Sequence, residues 1–125
     1  MSEENLVKKV ERLEFYVNLL REFSLDPEAY VLWDYYMAEE LDEGQARQMM
    51  QVFSQHLKVV REVNEQQEDI APYWNALIED LKPLFETLKW RTDRESILRV
   101  VRRASKLPHM YELKKLVHYA EGIKE

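Results

Sequence analysis

The sequence predicts an all-α fold, a compact bundle of five or six helices forming one domain over residues 1–125. Three observations carry this. Apolar residues recur at intervals of three and four along nearly the whole chain, the spacing that keeps them on one helix face. Only two glycines and four prolines interrupt the pattern, so few turns are signalled. No stretch alternates with period two for long enough to form a strand.

The first helix is expected from about Glu3 to Phe23, with Ser2 as N-cap and Glu3 and Glu4 near the positive end of the helix dipole. Leu6, Val10, Leu13, Val17 and Leu20 form a 4-3-4-3 seam of the kind through which helices pair, and Phe15, Leu19 and Phe23 form a second row beside it. A homodimer built partly on this seam is expected, although a helix inside a bundle can also use both rows internally. Next, Asp26 can cap and Pro27 suits a first helical position, opening a second helix from about Pro27 to Glu40. Its Tyr30, Trp33, Tyr35 and Tyr36 are expected to be mostly core, with one or two rings at the rim.

Asp42 with Gln45 reads as a capping box that opens a long third helix, about Glu43 to Glu68. Ala46, Met50, Phe53, Leu57 and Val60 make its main seam, and Val52, His56, Val59 and Val63 a second. A fourth helix starts near Pro72 and runs through Leu88, with a kink or break expected at Pro83. Thr92 to Glu95 reads as the capping box of a fifth helix, which Pro108 ends. A last helix spans about His109 to Glu121, with Gly122 as its C-cap.

Composition excludes several functions. The absence of cysteine removes disulfides, thiolate metal sites and cysteine nucleophiles, and it suits a reducing compartment. Two glycines cannot build a phosphate-cradling loop or a dinucleotide fingerprint. Di-iron bundles need Glu-x-x-His, but the residues three before His56, His109 and His118 are Phe53, Lys106 and Lys115. His56 is expected as a histidine half in the core. No GxSxG elbow is present, so no catalytic, cofactor-binding or metal-ligating residue is expected. The N-terminus is charged from Glu3 onward and lacks the apolar segment of a signal peptide. No apolar run approaches the ~20 residues that span a bilayer. A cytoplasmic protein without a membrane partner is expected.

The turn around Asp42–Gly44 has the spacing of a helix-turn-helix, but acidic Glu39, Glu40, Asp42 and Glu43 surround it and would repel DNA phosphates. The charge distribution is more informative. Residues 89–125 carry a net +5 and residues 1–88 a net −11. At 100° per residue, Arg99, Arg102, Arg103 and Lys106 fall within about 100° of arc, opposite Ile97, Val100, Val101 and Ala104. This basic face has two readings. It is a solvated surface, neighboured by an acidic group such as Glu39, Glu40 or Glu79, or it docks an acidic partner. Nucleic acid is the less expected partner, because four cations with no interleaved aromatic residue are a weak phosphate-binding signal. The alternative function is nevertheless a nucleic-acid-associated factor using the helix around residues 94–106.

VERLEFYVNLL (Val10 to Leu20), then DPEAY, then LDEGQARQMMQVF resemble the YhaI-like family of uncharacterised small helical proteins from Bacillus-type Firmicutes. The resemblance covers the first half of the chain; the second half matches only in its rhythm of helices. It implies an all-α, cytoplasmic, Gram-positive protein and carries over no catalytic residue. The expected function is protein–protein interaction by a small helical protein, a homodimeric regulator or adaptor.

Overall fold

The structure, a computed structural model, describes residues 5–63 and 67–122. It is all-helical as expected, with six α-helices among the described residues: α1 (Leu6–Leu25), α2 (Val31–Ala38), α3 (Glu43–Val60), α4 (Ala71–Thr87), α5 (Arg94–Ala104) and α6 (Lys114–Gly122). A single 3-10 turn, Tyr111–Leu113, leads into α6. One cluster of buried residues draws from every helix. Its centre draws on Trp74, Leu77, Leu81 and Phe85 of α4, Met49, Phe53 and Leu57 of α3, and the apolar row of α5. The α3–α4 pair, α5 and α6 surround this centre, α2 packs on α5, and α1 leans on α2 at the outside.

The starts of α1, α3 and α5 carry side-chain caps. Asn5 caps α1, its side chain accepting from the Lys8 amide at 2.9 Å; the expected cap Ser2 lies outside the described residues. The Asp42–Gln45 capping box is formed in both directions, at 2.8 and 3.0 Å. For α5 the cap is Asp93, one residue later than expected: its carboxylate accepts from the amide and hydroxyl of Ser96. Asp26 accepts from the Ala29 amide at 3.2 Å, but what it caps is a turn, and α2 begins only at Val31.

The third helix is shorter than expected. It ends at Val60, and Gln67 to Asp69 are not helical. The half-buried Lys115 ammonium of α6 donates to the carbonyl oxygens of Val60 (3.1 Å) and Val63 (2.9 Å). A cation there satisfies the carbonyls that a helix C-terminus leaves open and complements its dipole. The fourth helix runs through Pro83 without a break. Pro83 is exposed, so the carbonyl its ring deprives of a donor can turn to water.

Two helix ends of the kind that glycine usually closes are made without it. Glu40 (φ 60°) and Lys89 (φ 62°) occupy left-handed positions just beyond α2 and α4. At each, the amides close a Schellman pair: Glu40 to Met37 O and Leu41 to Tyr36 O, then Lys89 to Glu86 O and Trp90 to Phe85 O. Each closure sets an apolar residue against the helix just ended. Trp90 meets Phe85 edge-on at 5.0 Å. Gly122, expected as such a cap, is instead the final residue of α6 and has no positive φ.

Candidate functional site

The seam of α1 is the principal departure from a closed bundle. Leu6, Val10, Leu13, Val17 and Leu20 are 75, 47, 61, 54 and 48% exposed. The second row is the one the fold uses: Leu19 is buried, and Phe15, Tyr16 and Phe23 are half-buried. At 100° per residue the two rows lie roughly 140° apart around the helix, so α1 cannot present both to α2. Two polar ties select the face that docks. The Tyr16 hydroxyl donates to Leu41 O at 2.8 Å, and Trp33 Nε1 of α2 donates to Glu22 at 2.8 Å. The five seam residues share an arc of about 80°, so the free face of α1 carries an exposed apolar strip. Contiguous strips of this kind mark association surfaces, whereas singly scattered exposed apolar residues need no explanation.

On the basic face of α5 the predicted pattern is partly kept. Val101 and Ala104 are fully buried beneath it, with Ile97 and Val100. Arg99 and Lys106 are exposed, but Arg102 and Arg103 are only half so. Arg102 Nε pairs with Glu121 of α6 at 2.8 Å. The Arg103 guanidinium lies over the Tyr35 ring, 4.5 Å from its centroid, and donates to Arg99 O at 3.0 Å. None of the expected acidic neighbours is the partner of Arg102; Glu121 of α6, 19 residues further on, takes that place. Glu39 shares a shallow cleft with Arg99 beside Tyr35 without an ion pair between them. Burial, with Glu39, pushes the Tyr35 phenol above its usual value, while Arg103 and Arg99 act the other way. Two of the four cations are thus built into the α2–α5–α6 packing, and the face is not a uniform patch.

The aromatic residues of α2 divide as their helical positions dictate. Tyr36 is fully buried, its hydroxyl donating to Met50 Sδ at 3.6 Å, while Tyr30, Trp33 and Tyr35 are half-buried. Trp33 sits between the other rings, 6.0 Å from Tyr30 and 5.7 Å from Tyr36. His56 is half-buried, and its Nε2 meets Asp80 of α4 at 2.6 Å. No hydroxyl nucleophile joins this pair among the described residues, and it acts as a clasp between α3 and α4. Among the described residues no group of three or more metal-ligating side chains converges. No helix there is long and apolar enough to cross a membrane. A groove lies between α1 and the start of α3, lined by Arg12, Phe15, Asp42 and Glu43 among others. It is open to solvent and largely charged, unlike the enclosed apolar pocket that holds a small ligand.

Sequence reasoning placed the α1 seam and the basic face but missed how each is constrained. The signals for Glu121 and Tyr35 as partners of Arg102 and Arg103 are long-range, and no local spacing announces them. Leu32 and Met49, both fully buried, were also missed; Met50, chosen for the α3 seam, sits beside Met49 and is only half-buried. No family model, no curated protein and no solved structure matches the chain.

Proposed function

We propose that this protein works by protein–protein interaction and self-associates through the exposed seam of α1. The observation that carries the reading is the exposure of all five seam residues on a helix whose other apolar row is already packed. Burying a leucine or valine side chain is worth about 1.5–3 kcal/mol, so five left in water on each chain are a substantial drive to association. A structured α1, held by Leu19, Tyr16 and Phe23, presents that drive without first having to form a helix from coil. The dimer is then the platform of a small regulator or adaptor. A cytoplasmic location belongs to the same proposal, since a cysteine-free chain loses nothing in a reducing compartment. Kinship with the YhaI-like family is likewise proposed, on the motifs of the first half of the chain.

Sedimentation of the full chain across micromolar concentrations tests the reading, with Leu13→Glu as the companion variant. Leu13 is mostly exposed, so the variant is expected to keep its helical circular dichroism and to lose self-association. A wild type that stays monomeric at tens of micromolar overturns the proposal.

A further inference from the structure

We infer that the α1 helices of two copies pair in parallel and in register as a short two-stranded coiled coil, guided by Lys9 of each chain meeting Glu14 of the other. This rests on the self-association proposed above and adds its orientation. The 4-3-4-3 spacing assigns Val10 and Val17 to the a positions and Leu6, Leu13 and Leu20 to the d positions. Valine at a with leucine at d is the combination that favours parallel two-stranded coils.

Layer arithmetic selects the same orientation. In a parallel pair each residue meets its own copy, so all five exposed residues find a partner. In an antiparallel pair, a residues layer against d residues. Two valines then cover two leucines, and the third leucine stays in water whichever register is chosen.

The flanking charges agree. Lys9 falls at g and Glu14 at the e position five residues on, the pairing that crosses a parallel interface. Both residues are exposed and lie at the edges of the strip. The antiparallel register that layers Val10 on Leu20 and Leu13 on Val17 would set Glu14 against its own copy. The row packed on α2 is centred on Leu19, roughly 140° around the helix from the seam, with Tyr16 and Phe23 at the g edge between the two.

The chain has no cysteine, so a single engineered one reports without interference. Wild type, Val10→Cys, Leu20→Cys, Lys9→Glu and Glu14→Lys are compared by sedimentation and, for the cysteine variants, by mild oxidation. The expected results are a wild-type dimer, reducible covalent dimers of Val10→Cys and of Leu20→Cys each with its own copy, and self-association of Lys9→Glu about tenfold weaker. Mixing Lys9→Glu with Glu14→Lys should restore wild-type affinity at low salt, and added salt should shrink the difference. A wild-type dimer in which Val10→Cys links only to Leu20→Cys, or in which Lys9→Glu has no effect, overturns the parallel arrangement and leaves self-association standing. A wild-type monomer overturns both.

Discussion

The hydroxyl of Tyr16 in α1 and the carbonyl oxygen of Leu41, just beyond α2, are joined by a 2.8 Å hydrogen bond across 25 residues of sequence. It fixes the rotation of α1 about its own axis. With Tyr16 turned inward, Leu19 follows into the core and the seam is left facing out. Tyr16→Phe should lower stability by about 1 kcal/mol, the net worth of one such bond. Amide exchange in α1 should rise more than in α4. Equal acceleration in both helices would show that the bond does not hold α1 specifically.

Lys115 is expected to matter beyond its charge. Replacing it with Met keeps the apolar stem but removes the donor shared by the Val60 and Val63 carbonyls. Loss of a charged donor of this kind costs about 1.5–3 kcal/mol. Urea unfolding of Lys115→Met checks this, and a variant as stable as wild type would mean that water caps α3 equally well.

Alkaline pH should destabilise the protein through Tyr36. Burial raises its phenol well above the usual tyrosine value of about 10. Above pH 10 an unfolded chain therefore releases the Tyr36 proton while the folded chain keeps it. A folded pKa raised in this way gives stability that is full below the unfolded value and is lost as pH climbs towards the folded one. Tyr36→Phe, which has no proton to lose, should show a shallower fall in melting temperature above pH 10. Tyr35, raised by burial in the same direction, should leave part of the slope in place. Parallel curves for variant and wild type would contradict the assignment to Tyr36.

Glu40 holds a left-handed conformation that glycine adopts without strain. Glu40→Gly should raise stability by about 0.5–1 kcal/mol. Glu40→Ala separates backbone from charge: it removes the carboxylate but keeps the Cβ, so it should not reproduce the gain. A gain of equal size in both variants would assign the effect to charge.

Legibility followed the range of the forces involved. The capping box at Asp42, the apolar row of α5 and the row of α4 were readable because each depends on residues within one or two turns. The end of α3 was not readable, because the group that caps it, Lys115, lies more than fifty residues away. Turns without glycine escaped notice because Glu40 and Lys89 become left-handed only where Leu41 and Trp90 are drawn back onto their helices.

By itself, the sequence determined that the chain is all-helical, that α1 carries two apolar rows, and that α5 has a basic side and an apolar side. Periodicity and composition are properties of adjacent turns, and no partner is needed to express them. Only the tertiary structure decided which row of α1 is buried and which cations of α5 are engaged. Those outcomes depend on α2 offering one docking face for α1 and on Glu121 and Tyr35 arriving beside Arg102 and Arg103 from distant parts of the chain. A helix with two apolar rows and one neighbour must leave a row uncovered, and here the uncovered row is Leu6, Val10, Leu13, Val17 and Leu20.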